Sequence, residues 1–145
     1  MIGNKVCFFE SLESTNTFMK EHLNEYKNGD LVCAKRQING RGRRKNRWVS
    51  LEGNLFISFL MRNQEHSLFD LIKLVSLSVC DALNTRGIKS MIKYPNDILV
   101  NGKKICGILI ERIIGENDDF VVGVGLNVLM DDFEDINKEA TSIKL

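Results

Sequence analysis

The chain has 145 residues, 43% of them hydrophobic and 27% charged, and its formal net charge is +1 at pH 7. This size and composition predict one globular domain with a buried core, and the near-neutral charge argues against a general nucleic-acid-binding protein. No apolar run approaches the roughly 20 residues that span a bilayer, and the N-terminus lacks the basic-then-apolar order of a signal peptide. We therefore expect a cytoplasmic protein without a membrane partner.

The first half of the chain predicts three short apolar strands and one helix. The predicted strands cover residues 5–9, 31–34 and 54–61. Ser14 and Thr15 are favourable helix caps, and apolar residues follow them at helical spacing as far as Tyr26. We therefore predict a helix that begins near Ser14 or Thr15 and ends at the stop signal of residues 28–30.

The second half predicts a long helix followed by a meander of strands. Ser67 and Asp70 resemble a capping box, and an apolar stripe runs from Leu68 to Leu83, so this helix should end near residues 86–87. The predicted strands cover residues 91–94, 98–100, 105–114 and 120–128, with a tight hairpin at Asn101-Gly102 and a further turn at 116–119. This order predicts an α+β domain in which helices cover one face of a mixed, largely antiparallel sheet.

The segment from Gly40 to Trp48 is the most distinctive part of the chain, because five of its nine residues are Lys or Arg. No acidic residue lies between Asp30 and Glu52, so the positive charge is concentrated here. Arginine forks and glycine backbone N–H groups together suit carboxylate or phosphate oxygens, which predicts a site for a small anion. The alternatives are a solvated basic loop and a nucleic-acid-binding segment at residues 35–47.

Residues 94–97, Tyr-Pro-Asn-Asp, interrupt two apolar runs with the only proline of the chain. A simple turn explains this composition, since proline, asparagine and aspartate all favour turns. The hairpin that follows nevertheless returns Lys103 and Lys104 towards Asp97, so a carboxylate and an amine are expected to face each other across adjacent strands. This pair is a candidate for acid–base chemistry.

Several motifs, taken in order, resemble those of the biotin protein ligases, also called biotin–acetyl-CoA-carboxylase ligases. They are Ser14-Thr15-Asn16, Gly40-Arg41-Gly42-Arg43-Arg44 with Trp48, Lys93-Tyr94-Pro95-Asn96-Asp97, Lys103-Lys104-Ile105-Cys106-Gly107 with its continuation to Glu111, Gly123-Val124-Gly125-Leu126-Asn127-Val128, and Ala140-Thr141-Ser142. The resemblance covers essentially the whole chain. It implies a class II aminoacyl-tRNA synthetase/biotin ligase-like catalytic domain over residues 1–145, without the helix-turn-helix and the small C-terminal β-barrel of longer relatives.

The resemblance also implies a reaction in two steps. The carboxylate of biotin attacks the α-phosphate of ATP, which is accompanied by Mg²⁺, and gives biotinyl-5′-AMP. A lysine of a biotin carboxyl carrier protein then captures the biotinyl group. Both substrates of the first step are anions, so prepositioned cations must offset their repulsion. The sequence leaves open whether the chain forms a homodimer.

Transferred residue by residue, the resemblance implies a set of site residues. The expected catalytic residues are Lys104, Asp97 and Arg43, with Asp97 as the base for the carrier lysine. The expected biotin-binding residues are Ser14, Thr15, Asn16, Gln37, Arg41, Gly42, Arg43, Trp48, Lys104, Gly107 and Gly125. The expected residues for ATP or the adenylate are Arg41, Arg43, Arg44, Asn96 and Asn127, and no metal ligand is assigned. Helix capping, turn formation and strand bulges are the ordinary alternative roles for several of these positions.

Two residues depart from the family pattern. Lys45 stands where a glycine commonly follows the double arginine, and Tyr94 stands where tryptophan is usual. A lipoate-type acyltransferase on a similar fold is the nearest enzymatic alternative, although the arginine loop favours biotin adenylation.

Overall fold

In the computed structural model, which describes residues 1–63, 65–115, 118–133, 136 and 139–145, the chain forms one seven-stranded sheet and two α-helices. The strands are β1 (Val6–Leu12), β2 (Leu31–Gln37), β3 (Leu55–Met61), β4 (Met91–Lys93), β5 (Asp97–Val100), β6 (Lys103–Ile113) and β7 (Asp119–Leu126). The helices are α1 (Thr15–Glu21) and α2 (Leu68–Asn84), and 3₁₀ turns cover Leu23–Glu25 and Arg43–Lys45. Neither of these helices has the length and apolar character needed to cross a membrane. Glu116 and Asn117, in the predicted turn, lie outside the described residues.

The strand order in the sheet is β1-β2-β3-β7-β6-β5-β4. β1 and β2 are parallel because α1 returns the chain between them, whereas every other neighbouring pair is antiparallel. The predicted α+β class with a mixed, largely antiparallel sheet is confirmed. The hairpin at Asn101-Gly102 is confirmed as well, and both residues have positive φ, 50° and 79°, as a tight turn of this kind requires.

The two helices pack on opposite faces of the sheet, whereas the sequence analysis placed the helices on one face. Val121 of β7 packs with Met19 of α1, and the next residue, Val122, packs with Val75 and Leu83 of α2. Successive side chains of a strand point to opposite faces, so β7 is apolar on both sides. A strand of this kind needs a cover on each face, which explains the continuous apolar run in its sequence.

α1 ends at Glu21, and the predicted continuation of this helix through Tyr26 was wrong. The guanidinium of Arg62 donates hydrogen bonds to the carbonyl oxygens of Leu23, at 2.6 Å, and Tyr26, at 3.2 Å. These bonds satisfy carbonyl groups of a chain that has already left the helix. Arg62 lies far along the sequence, so helical spacing alone could not show where the helix stops.

Candidate functional site

A cavity of about 870 Å³ lies on the face of the sheet that carries α1. Its walls come from the start of α1, the end of β2 with the basic loop (residues 40–48), the turn before β5, and the middle of β6 and β7. Every residue that the sequence analysis assigned to the site lines this cavity, although the segments are far apart along the chain. The structure therefore brings these residues together, and their binding roles stay predictions.

One end of the cavity is a network of neutral hydrogen-bonding side chains. The backbone N–H and the hydroxyl of Thr15 lie 2.8 and 3.1 Å from the Oε1 atom of Gln37. The Nε2 atom of Gln37 donates to Ser50 at 2.9 Å. The hydroxyl of buried Ser58 lies 2.8 Å from the hydroxyl of Thr15 and 2.5 Å from Oδ1 of Asn16. This end offers both donors and acceptors to a neutral polar group.

Glu111 of β6 joins this network to the basic loop. Both of its carboxylate oxygens accept hydrogen bonds from Arg41, at 3.0 and 2.8 Å. Lys20 of α1 donates to the same carboxylate at 2.8 Å, and Nδ2 of Asn16 donates at 2.9 Å. Burial alone would raise the pKa of Glu111, but the hydrogen bonds from Arg41, Lys20 and Asn16 outweigh it and lower the pKa to about 2. The carboxylate is therefore a fixed negative charge at neutral pH.

The predicted carboxylate–amine pair lies at the other end of the cavity. Oδ1 of Asp97 is 2.7 Å from Nζ of Lys104, and both side chains are about three-quarters buried, with 25% and 22% of their surface exposed. Across the two strands Asp97 faces Gly107 and Lys104 faces Leu99, and the register shifts between Ile98 and Leu99. Nζ of Lys104 also lies 5.0 Å from the centre of the Trp48 ring, within cation–π range.

The indole of Trp48 lies flat against two glycines that face each other on β6 and β7. Gly107 pairs with Gly125 across the two strands. A Cβ atom at Gly107 would come within 2.8 Å of the ring, and one at Gly125 within 2.6 Å of Nε1. Nε1 of Trp48 is buried without a hydrogen-bond partner among the described residues. The glycines therefore make room for an aromatic wall, and the indole N–H is left available.

The basic loop projects over the cavity in a strained conformation. Arg44 and Lys45 both have left-handed φ angles, 54° and 63°. The exposed guanidinium of Arg43 donates to Oδ1 of Asn96 at 3.1 Å. A second opening, of about 490 Å³, lies between this loop and the side chains of Leu109 and Glu111. The loop therefore places several cations at the cationic end of the site.

Three predicted site residues also hold the local structure. Oγ of Ser14 accepts a hydrogen bond from the backbone N–H of Thr17 at 3.4 Å, which caps α1 as the sequence predicted. Nδ2 of Asn96 donates to the carbonyl of Ile108 at 2.9 Å. Asn127 is buried, and its Nδ2 donates to the carbonyl of Thr141 at 3.0 Å, which fixes the C-terminal segment beside β7. These contacts position the cavity walls whether or not the same residues touch a ligand.

The sequence analysis assigned no role to Glu111, Ser58 or Lys20. Glu111 belongs to one of the family motifs. A charged residue in an otherwise apolar strand also indicates a polar contact on that face of the sheet. Ser58 likewise interrupts the apolar run of β3 and is fully buried. Both residues lie on the face of the sheet that carries α1, because they pair in register with Gly123 and Val121 of β7.

Comparisons with known proteins identify the family of the chain. The sequence model of the biotin/lipoate A/B protein ligase family matches residues 8–127. The bifunctional ligase/repressor BirA of Bacillus subtilis is 35% identical over 153 residues, which cover 99% of this chain and 47% of that protein. The bifunctional ligase/repressor BirA of Escherichia coli is 31% identical over 134 residues, which cover 88% of this chain and 42% of that protein. The chain thus spans about half the length of the curated relatives it matches.

A solved structure gives the same result for the fold. The biotin protein ligase of Aquifex aeolicus, in complex with biotin and ATP, matches with a TM-score of 0.86 at 34% sequence identity. The match covers 97% of this chain and 60% of that chain.

Proposed function

Because the chain belongs to the biotin/lipoate A/B protein ligase family, we propose that it converts biotin and ATP to biotinyl-5′-AMP and transfers the biotinyl group to a lysine of a biotin carboxyl carrier protein. The observation that carries this proposal is a single cavity with a neutral polar end and a cationic end. Biotin has the matching chemistry, with a neutral ureido ring at one end and a carboxylate at the other. The Aquifex relative in complex with biotin and ATP supports the pairing.

The neutral end of the cavity suits the ureido ring. This ring has two N–H donors and one carbonyl acceptor, and each needs a partner once water is removed. Thr15, Gln37 and Asn16 offer hydroxyl and amide groups at this end. The dithiolane ring of lipoate has no N–H group, so it would leave these polar groups without partners. The polar network therefore favours biotin over lipoate.

The cationic end suits the activation step. A carboxylate oxygen of biotin attacks the α-phosphorus of ATP, and pyrophosphate leaves with the bonding electron pair. Lys104, Arg43 and Arg44 line the cavity where these negative charges meet. Fixed cations in a partly water-excluded site stabilise the developing charge more than solvent does. We assign charge stabilisation to these three residues.

Magnesium enters the proposal only as the ion that accompanies the phosphates of ATP. The described residues contain no group of three or more His, Cys, Asp or Glu side chains that could hold a metal ion. The carboxylate of Asp97 in the cavity is already paired with Lys104. The described side chains therefore do not form a site that holds Mg²⁺ without ATP, and we assign no step to the ion.

The transfer step requires a neutral amine on the carrier, because a lysine is largely protonated at pH 7 with a reference pKa of ~10.4. Asp97 takes the proton from this lysine, and the amine then attacks the carbonyl carbon of biotinyl-5′-AMP. AMP leaves, and an amide bond joins biotin to the carrier.

The four cysteines of the chain are free thiols, which supports a reducing, cytoplasmic location for this activity.

The test separates the two steps because the chain spans only about half the length of its relatives. The purified chain is incubated with biotin, Mg²⁺ and ATP, and biotinyl-5′-AMP is measured by mass spectrometry. Lys104→Ala and Arg43→Ala should slow its formation while circular dichroism stays unchanged. Arg86→Ala, which removes an exposed cation away from the cavity, is the matched control. A wild-type chain that neither binds biotin in calorimetry nor forms the adenylate would refute the proposal.

A further inference from the structure

We propose that Glu111 is a positioning residue that locks the basic loop to the sheet through Arg41 and fixes the donor and acceptor directions of the polar network through Asn16. This inference rests on the proposed function for its ligand, but its contacts exist in the free protein. Glu111 contacts α1 through Asn16 and Lys20, and the basic loop through Arg41. It is the one described carboxylate that touches both the loop and the network.

The contact with Arg41 divides the arginines of the loop into two kinds. The two terminal nitrogens of Arg41 donate to the two oxygens of Glu111, a bidentate geometry that fixes both side chains. The charge of Arg41 is thereby balanced inside the protein. Arg43 and Arg44 are exposed and have no carboxylate partner among the contacts described. Arg41 is therefore an anchor, and Arg43 and Arg44 are the cations left for an anionic ligand.

The position of Arg41 in the loop makes this anchor effective. Arg41 forms an isolated antiparallel bridge with Arg47. The backbone N–H of Trp48 donates to the carbonyl of Gly40 at 2.8 Å, which closes the loop at its base. Holding Arg41 therefore also holds Trp48, the aromatic wall of the cavity. The carboxylate of Glu111 on β6 thus sets the position of the basic loop, and with it the position of the Trp48 ring.

The contact with Asn16 sets the direction of the hydrogen bonds. Nδ2 of Asn16 donates to Glu111 and to the carbonyl of Leu109, at 2.9 and 3.2 Å, so its Oδ1 must accept. Ser58 has one hydroxyl proton, and it must therefore donate to Oδ1 of Asn16. The single hydroxyl proton of Thr15 then has two acceptors within reach, Oγ of Ser58 at 2.8 Å and Oε1 of Gln37 at 3.1 Å.

This direction has a consequence for the ligand. Because the proton of Ser58 goes to Asn16 and not to Thr15, the hydroxyl of Thr15 keeps a lone pair for a ligand N–H group. A neutral amide at position 111 offers Asn16 an NH₂ group as well as a carbonyl oxygen, so only the carbonyl of Leu109 would still hold the Asn16 amide in this orientation. Glu111 therefore acts together with the carbonyl of Leu109, and without touching the ligand, to leave Thr15 as an acceptor.

The experiment compares Glu111→Gln with Lys20→Met in the full chain. Lys20→Met removes a cation from the same carboxylate but leaves both Arg41 and Asn16 in contact with it. In the free protein, hydrogen exchange at residues 41–48 should accelerate by roughly 10- to 100-fold in Glu111→Gln, as expected for loss of a charged hydrogen bond, and should change little in Lys20→Met. Arg41→Gln breaks the anchor from the loop side and should reproduce the acceleration, even if Glu111→Gln fails to fold.

Calorimetry with biotin supplies the second measurement. Glu111→Gln should weaken biotin binding by roughly 10- to 100-fold, since it disturbs both the loop and the network. Arg41→Gln should weaken it less, because the Asn16 contact remains. Equal loop exchange in wild type, Glu111→Gln and Arg41→Gln would overturn the anchor, and unchanged biotin affinity in Glu111→Gln would overturn the control of the network. A wild-type chain that binds no biotin would instead refute the proposed function, and the exchange measurement would still decide the role of the anchor.

Discussion

The carboxylate of Asp97 and the ammonium of Lys104 form an ion pair of 2.7 Å inside the cavity, one residue on β5 and the other on β6. The pair brings a proton acceptor and a fixed cation to the same place. In the proposed function, the acceptor takes the proton of the carrier lysine and the cation faces a phosphate or acyl oxygen. The two half-reactions of the proposed function therefore share one pair of side chains.

Asp97→Asn should separate the two half-reactions. The amide keeps the shape of the side chain but removes the base, so transfer from presynthesised biotinyl-5′-AMP to a carrier domain should slow by roughly 10²- to 10⁴-fold at neutral pH. The rate should recover partly as rising pH deprotonates the carrier lysine without help. Asp81→Asn, on the exposed side of α2, is the control. Transfer at the wild-type rate at neutral pH would remove Asp97 as the base.

Gly125→Ala should displace the indole of Trp48. A Cβ atom at this position would lie 2.6 Å from Nε1, so the ring must move, at a cost of about 1–3 kcal/mol in the free energy of unfolding. Trp48 is the only tryptophan of the chain, and its fluorescence therefore reports the displacement directly. Gly115→Ala meets no described atom within 4 Å and is the control. Identical emission spectra for the two variants would contradict the observed packing.

Ser58→Ala should destabilise the chain more than the removal of one hydroxyl oxygen suggests. The substitution leaves Oδ1 of buried Asn16 without its donor, which costs about 1–3 kcal/mol in the free energy of unfolding. Ser76 provides a matched control, because it is equally buried but its hydroxyl has no partner among the described residues. Ser76→Ala should be neutral or stabilising by a few tenths of a kcal/mol, since alanine also favours the helix. Urea unfolding of both variants measures the difference, and equal midpoints would argue against the network.

Lys45→Gly should relieve strain in the basic loop. Lys45 has a φ angle of 63°, a region that costs a residue with a side chain about 1–2 kcal/mol and costs glycine almost nothing. Glycine loses some of this advantage through the entropy of the unfolded chain, so the net gain should be about 0.5 kcal/mol. Asn46→Gly, where φ is −65°, should destabilise instead. Thermal unfolding of the two variants should give shifts of opposite sign, and shifts of the same sign would contradict this account.

The pKa of Glu111 predicts how stability depends on pH. Burial raises this pKa, but Arg41, Lys20 and Asn16 lower it further, from its usual value of 4.5 to about 2. The folded state therefore binds this proton less readily than the unfolded state, so the stabilisation is complete above about pH 4.5 and is lost as the pH falls towards 2. With allowance for partial exposure, it should amount to about 1–2 kcal/mol. Urea unfolding of wild type and Glu111→Gln should give curves that converge below pH 4, and a constant difference would contradict the prediction.

The sequence predicted the elements of the fold better than their arrangement. Local signals, such as the cap at Ser14 and the hairpin at Asn101-Gly102, appear in the structure where they were expected. The end of α1 and the placement of the helices on two faces were not predicted, because both depend on contacts between distant segments. Local propensity carries no information about such contacts.

The site shows the same division. Family resemblance located the residues that line the cavity, including the pair of Asp97 and Lys104. It did not reveal the two carboxylate contacts that occupy Arg41, nor the place of Ser58 in the network. Arg41 and Ser58 act through other side chains. Their partners come within reach through the register of β3 and β6 in the sheet and the packing of α1 on its face.

The position of β7 affects when the chain becomes able to bind a ligand. Among the described residues, β7 is the last strand along the sequence, yet it lies in the centre of the sheet, between β3 and β6. Until it is synthesised and inserted, the earlier strands can form only two separate ribbons, each with an open edge that attracts other chains. Asn16 and Glu111, 95 residues apart, meet only when this strand joins the ribbons. A nascent chain that stops before Asp119 therefore lacks a complete cavity and leaves β3 and β6 as open edges, and the insertion of β7 removes both defects at once.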